Sequence, residues 1–428
     1  MEIDQRSGSG MVPKIVAEQL NRVQPYLLLA TVVSIPLSVE LNRIITTATA
    51  IITVFAVDWS EFGSKLRTNW RVMLPLVVGL VNVFGLLYTN NMKDGMAMLE
   101  RSAFYGVLPF LILLRPPDRL ETERLLNFFT LSCLAVCFYC LYIALGKVIE
   151  TGSIVNQDKI LDRQYFHFLN NELTLPAGIS PIYLGLFVNL AIAFMLLRFF
   201  VWKERTTYVV VMLVMLHFFQ MLLFALSAIL GLFLMWCIII LHLMKSLIMA
   251  RRLAILTTFC TLIVLCVALT SQVRPLREKV VGKLSYNIEM PFIGDWTGVT
   301  IRLAIWQCAW DAVKESPFYG NGTGDARDKL SEAYARNKFL LGVAQSFNSH
   351  NQYIESYLMQ GVFGLLVLLI VHAVPLFGKM NAKNWIMSLF ILLMLMGYMT
   401  EAILSVQKGV VFFSFFFPVL YLYPARPQ

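Results

Sequence analysis

Residues 181–197 read PIYLGLFVNLAIAFMLL, a run without one charged side chain. A bilayer core is about 30 Å thick, and about 20 apolar residues cross it as a helix. The run therefore reads as a membrane span. Eleven similar runs flank it, at 25–40, 43–57, 72–89, 103–114, 125–146, 207–226, 228–244, 253–271, 352–376, 384–400 and 406–424. Together they account for a 428-residue composition that is 58% hydrophobic and 14% charged, against roughly 45–50% and about 25% in soluble domains. In lipid every backbone polar group must be satisfied within its own segment, so these runs are expected as helices. The fold class that follows is an all-α polytopic membrane protein of about 12 transmembrane helices. The run 103–114 is short, and a snorkelling Arg101 or Arg115, or a helix start near Ala97, completes it.

Basic residues give the orientation. With the N-terminus in the cytoplasm, the inner segments hold eighteen Lys and Arg and the short outer loops hold four, Arg43, Lys93, Arg101 and Lys408. That asymmetry is the positive-inside pattern. The net charge of +9 is thus spent on topology, and nucleic acid is excluded as a partner. The plan is a cytoplasmic segment 1–24, five spans in 25–146, an outer loop 147–180, four spans in 181–271, a large outer loop 272–351, three spans in 352–424 and a cytoplasmic tail 425–428. Residues 1–24 are polar, so no cleavable leader is expected, and Ser7 to Gly10 is linker-like. Cys133, Cys137, Cys140, Cys237, Cys260 and Cys266 lie within apolar runs and Cys308 in a loop. No disulfide framework is expected. The Cys133, Cys137, Cys140 face is expected to pack against a neighbouring helix rather than to hold metal.

The outer loop 272–351 is too long to be a simple connection. Asp311 to Lys314 and Asp325 to Arg336 look helical, and Pro317 to Gly324 is a turn-rich break between them. His217, His242 and His372 lie in apolar runs and are expected to be satisfied helix residues, and His167 to rest at the membrane interface. His350 differs. It stands in Ser346-Phe347-Asn348-Ser349-His350-Asn351-Gln352-Tyr353, where the loop re-enters the membrane. The plainer reading is a helix cap; the functional one is a base shielded from water yet reachable from outside. Arg302, Trp306 and Trp310 share a helix face. They read either as an interfacial aromatic belt or as a platform aiming a guanidinium at a lipid-linked phosphate. Arg101 and Arg163 lie on the same side. No nucleotide-binding loop and no metal-ligand spacing is present, so the energy for a reaction must come from the substrate.

His350-Asn351, nine residues and then Gly361-Val362-Phe363-Gly364 resembles the His-(Asn/Ser/Gln)-x9-Gly-x-x-(Gly/Thr/Tyr) signature of bacterial O-antigen ligases. Arg302-x3-Trp306 and Pro317-x2-Gly320-x-Gly322-x-Gly324-Asp325 are similar to the segment entering that signature in the O-antigen ligase and polymerase superfamily. Ser180-Pro181-Ile182-Tyr183 resembles its His-Pro-x-Tyr element, and Thr400-Glu401 with Gln407 to Phe413 is similar to its C-terminal part. Two departures stand out: Ser180 where some relatives have His, and Ser227-Ala228 where many have Ser-Arg. The second leaves a place for Arg302, Arg163 or Arg101 to fill.

The resemblance implies a GT-C-like glycosyltransferase of the bacterial inner membrane, with both termini cytoplasmic and the active site periplasmic. The donor would be an undecaprenyl-diphosphate-linked glycan and the acceptor the lipid A core oligosaccharide. Neither metal nor other cofactor would be needed. His350 and Arg302 would be catalytic, and Asn351, Arg163, Arg101, Tyr183, Glu401, Gly322 and Gly324 would bind substrate. An O-antigen or exopolysaccharide polymerase with the same donor is the alternative. A glycolipid transporter is disfavoured by the absence of repeated halves and by the scarcity of buried charges within the spans, Glu401 being the main candidate.

Overall fold

The computed structural model describes residues 14–56, 59–158, 163–244, 287–289, 296–377 and 385–423. The expected span 253–271, with Cys260 and Cys266, lies outside the described residues. Among the described residues, apart from one antiparallel hairpin, β1 (Val155–Asp158) and β2 (Arg163–Phe166), the regular structure is helical. Among the described residues six stretches are long and apolar enough to cross a membrane: Val39–Ala56, Trp59–Tyr88, Met92–Leu114, Arg119–Thr151, Pro181–Val201 and Gln352–Leu376. Four shorter apolar helices accompany them, Thr207–Leu223, Leu226–His242, Trp385–Tyr398 and Gln407–Leu422.

The chain begins with α1 (Lys14–Ser34) and α2 (Val39–Ala56). α1 takes in polar residues that the sequence assigned to a separate segment. A polar stripe joins it to α2. Gln24 Nε2 donates to Thr53 Oγ1 at 2.9 Å, the Thr31 and Thr49 hydroxyls lie 3.2 Å apart, and Asn42 Nδ2 donates to Thr31 O at 3.0 Å. Such side-chain bonds are a common adhesive between helices in lipid. Next come α3 (Phe62–Asn69), α4 (Leu74–Gly85), α5 (Met92–Ser102) and α6 (Phe104–Leu114). The short run 103–114 is thus extended backwards, α5 and α6 meeting at Ala103. α7 (Arg119–Thr151) starts with a capping box, Asp118 and Glu121 each binding the other's backbone N–H, and ends on Gly152 at φ 66°. Cys133, Cys137 and Cys140 on α7 are buried and free.

After the hairpin come α8 (Asn170–Thr174), α9 (Pro181–Leu196), α10 (Thr207–Leu223) and α11 (Leu226–Met244). The stretch 296–351 contributes α12 (Gly298–Glu315), α13 (Ala326–Arg336) and α14 (Leu340–Gln345), followed by α15 (Gln352–Ala373), α16 (Trp385–Tyr398) and α17 (Gln407–Leu422). α9 is apolar all round, which suits a helix enclosed by α7, α10, α11 and α16. Rings from four helices meet beside it. Phe187 lies 4.6 Å from Phe412 and Phe129 4.7 Å from Phe416, with Phe390 against both Phe412 and Phe416.

The connections gather at two ends. At one, Lys65 Nζ donates to Leu114 O, Arg198 to Asn127 Oδ1 and Tyr423 to Glu123. At the other, Arg43 pairs with Glu100, Arg101 binds Ser405 O, Lys408 binds Gly178 O and Asn170 binds Leu223 O.

The segment 317–325 fastens the α12–α14 unit to the bundle. α15 breaks at Gln360 (φ −129°, ψ 20°) and Gly361 (φ 62°, ψ −152°). The break frees the carbonyls of Leu358 and Met359, which accept Asn321 N at 2.8 Å and Gly322 N at 2.9 Å. A Cβ on Gly361 would sit 2.2 Å from Phe318 O. On the segment's other side, Thr323 Oγ1 donates to Asn82 O at 2.6 Å and the Asp325 carboxylate accepts Asn90 N at 2.8 Å. The glycines of the signature thus make a seam where backbone passes backbone.

Candidate active site

Three elements converge where α15 begins. α12 starts with a capping box between Thr297 and Thr300, which fixes its first turn and places Arg302 one turn in. α15 starts on Asn351, whose Oδ1 accepts Tyr353 N at 3.0 Å and Ile354 N at 3.1 Å. The third element is the turn 399–406 between α16 and α17.

His350 lies between them at φ 44°. Its Nδ1 is 3.1 Å from both oxygens of Glu401. With a carboxylate there, Nδ1 carries the hydrogen and Nε2 the lone pair. Nε2 has no hydrogen-bond partner among the described residues. The His350 side chain is 26% exposed and that of Glu401 9%, so the imidazole has an open edge while its partner is covered. The backbone of the histidine turn is held separately. Ser349 donates Oγ at 2.6 Å and N at 3.2 Å to one oxygen of buried Glu355, Trp306 Nε1 donates to Ser349 O at 3.1 Å, and His350 N donates to Asn348 Oδ1 at 3.1 Å.

Arg302 reaches the same turn from α12. Its Nε donates to Thr400 O at 3.1 Å and its Nη1 to Gly298 O at 2.8 Å. Burial pushes this guanidinium below the usual arginine range, and the charge of Glu401 acts in the opposite direction. Arg101, at the end of α5, donates Nη1 to Ser405 O at 3.0 Å. Gln352 Oε1 accepts Leu404 N at 2.7 Å, and Tyr105 OH donates to Leu404 O at 3.2 Å. The turn 399–406 is therefore the hub on which the histidine and both arginines meet.

Of the residues singled out in the sequence, the structure brings together His350, Glu401, Arg302, Asn351 and Arg101. Asn351 is committed to the protein on both edges, for its Nδ2 also donates to Met399 O at 3.3 Å. Tyr183 is buried in the first turn of α9, its hydroxyl without a hydrogen-bond partner among the described residues and within electrostatic reach of Glu401 and Glu355. Arg163 lies in β2, and its side chain is outside the described residues. Gly322 and Gly324 sit in the seam: a Cβ on Gly322 would be 2.6 Å from Thr89 Oγ1, and one on Gly324 2.1 Å from Asn91 O. Their geometry is that of close packing. Ala228 abuts α9, where a Cβ on Gly185 would lie 2.8 Å from its own Cβ, and its carbonyl accepts Asn189 Nδ2 at 2.7 Å.

Two further residues hold the site without any signal in the sequence. Glu355, five residues after His350, stands where any first-turn acid could, and only the folded turn shows that Ser349 is its partner. Arg327 on α13 donates Nη2 to Ser346 O at 2.8 Å. The other histidines are structural where the sequence placed them in helices. His217 bonds Leu213 O and accepts Trp236 Nε1, and His372 bonds Leu368 O and the Tyr398 hydroxyl. His242 lies against the Trp385 ring. His167 is buried with both ring nitrogens unpartnered among the described residues.

Comparison with known proteins places residues 183–369 in the sequence family described as O-antigen ligase. That stretch holds Arg302, the seam and His350, and ends before Glu401. A protein of Haemophilus influenzae described as uncharacterized is 30% identical over 89 residues, 21% of this chain and 22% of that protein. The match thus spans about a fifth of the relative's length.

Proposed function

We propose that this chain, whose residues 183–369 match the family described as O-antigen ligase, transfers a glycan from undecaprenyl diphosphate to the lipid A core oligosaccharide at the outer face of the inner membrane. The observation that carries this reading is the contact of His350 Nδ1 with both oxygens of Glu401, beside an arginine bound to the adjacent residue, Thr400.

In this reading an acceptor hydroxyl approaches His350 Nε2. As its oxygen attacks the anomeric carbon, the proton passes to Nε2 and the imidazolium is stabilised by Glu401. The bond from the anomeric carbon to the diphosphate oxygen breaks, and its electron pair leaves with the diphosphate. Arg302, half withdrawn from water, meets that developing charge. Base assistance from a histidine supplies roughly 10²–10⁴ in rate, and one well-placed charge contact roughly 10²–10³. Holding both lipids at one site supplies much of the rest.

The test is transfer by purified protein from a defined undecaprenyl-diphosphate-linked repeat, with products identified by mass spectrometry. Two acceptors are offered separately, lipid A core and a second lipid-linked repeat. Transfer to the core supports the ligase; transfer only to the second repeat makes the protein a polymerase. His350→Ala is expected to insert and fold normally and to give no product with either. Wild-type product from that variant would remove His350 from the chemistry.

A further inference from the structure

The connection from α12 to α13 reads SPFYGNGTG over residues 316–324, without a charged side chain, whereas Lys314 and Glu315 precede it and Asp325, Arg327 and Asp328 follow. A connection in water can leave its backbone to solvent. Here each N–H from Gly320 to Gly324 is donated to protein, in turn to Ser316 O, Leu358 O, Met359 O, Gly85 O and Thr89 Oγ1. In the other direction Pro317 O accepts Val362 N at 3.1 Å. Non-helical backbone at membrane depth requires internal partners of this kind. The partners also give the depth. Gly361, which Phe318 O approaches, is nine residues into α15, about 14 Å along a helix. Gly85, the partner of Thr323, stands before the end of the apolar stretch Trp59–Tyr88. The connection therefore lies alongside the ends of two stretches long enough to cross a membrane, not beyond them.

While the backbone turns inward, two rings turn out. Phe318 is 67% exposed and Tyr319 64%. The Tyr319 ring stacks on Phe363 of α15 with centroids 6.2 Å apart, and Tyr88 OH donates to Tyr319 O. Phe363 leads into exposed Leu366, Leu369 and Ile370 on α15. On the other side Tyr88 touches the exposed Phe84 ring, which leads into exposed Leu80 on α4. Phe318 and Tyr319 thus complete one apolar surface with the outward faces of two spans, in the place where aromatic rings meet the edge of a bilayer. We propose that residues 317–319 form a wedge set into the leaflet on the His350 side, with Phe318 and Tyr319 among the lipid acyl chains. The connection is then a re-entrant segment within a loop otherwise in water. It fixes the height of α12, and with it Arg302, relative to the bilayer. The wedge goes beyond the transferase reading and stands whatever reaction the site performs.

The experiment places a nitroxide at Phe318→Cys in the full-length chain, reconstituted in vesicles of phosphatidylethanolamine and phosphatidylglycerol. Collisions with oxygen, which concentrates in hydrocarbon, are compared with collisions with a water-soluble nickel chelate. Tyr319→Cys is labelled in parallel, so that the result does not hang on one variant. Leu366→Cys, on the exposed face of α15, and Lys314→Cys, exposed on α12, serve as references. The signal from native cysteines of the parent chain is subtracted. The oxygen-to-nickel ratio at 318 and 319 is expected to match that at 366 and to exceed that at 314 several-fold. A ratio like that at 314 puts the rings in water and overturns the wedge. Shielding from both reagents overturns it as well, because another protein surface, such as a second copy of this chain, would then cover the rings.

Discussion

His350 adopts φ 44°, a left-handed conformation that costs a side-chain-bearing residue of order 1–3 kcal/mol unless its surroundings impose it. Glu355 imposes it through the backbone, by taking both the N–H and the hydroxyl of Ser349. Glu401 holds the side chain. The division separates two tasks, shaping the turn and choosing the tautomer, between two carboxylates 46 positions apart in the chain. Glu401→Gln tests the second task. The amide preserves size, but its NH₂ can face Nδ1, which then keeps its lone pair and puts the hydrogen on Nε2. Turnover is expected to fall about 10²-fold, with thermal unfolding within a few degrees of wild type. Unchanged turnover would mean that Glu401 does not set the tautomer.

Among the elements, α15 shows why a glycine pair follows the histidine at a fixed distance. Asn351 starts the helix, two and a half turns carry it to Gly361, and the break there exposes the carbonyls that dock the segment 317–325. Gly361 has φ 62° and ψ −152°, a region essentially limited to glycine, and Phe318 O leaves no room for a Cβ. Gly361→Ala is expected to cost at least about 1–3 kcal/mol and to lower transfer with it, because Arg302 rides on the unit that this seam fastens. Thermal unfolding and the transfer assay check both. Gly146→Ala is the control: a Cβ there meets nothing within 4 Å and alanine favours the helix, so neither measurement should fall.

At the scale of the molecule, the two groups of connections predict sidedness. Lys314, exposed on α12, belongs with the outer group, and Lys203, exposed between α9 and α10, with the inner one. In intact cells stripped of the outer membrane, Lys314→Cys should react with a membrane-impermeant maleimide above the parent background. Lys203→Cys should react only after the membrane is opened. Labelling in the reverse order would place the His350 site on the cytoplasmic face.

Apolar run length and basic-residue bias act locally, since a segment of given hydropathy partitions into lipid whatever its neighbours do. For that reason the helical class and the membrane character of the chain could be read from the sequence alone. His350 and Arg302 stand in a short pattern of distinctive residues, and the structure brings both to the turn 399–406. The partnership of His350 with Glu401, 51 positions away, was not readable, nor was that of Glu355 with Ser349 or of Arg101 with Ser405. Carboxylates and guanidiniums are common at helix ends, and nothing in one dimension says which pair will share a turn. That choice belongs to packing. The seam at Gly361 and the folded-back turn 399–406 bring α5, α12 and α15 to one place, and only there do their charges acquire partners.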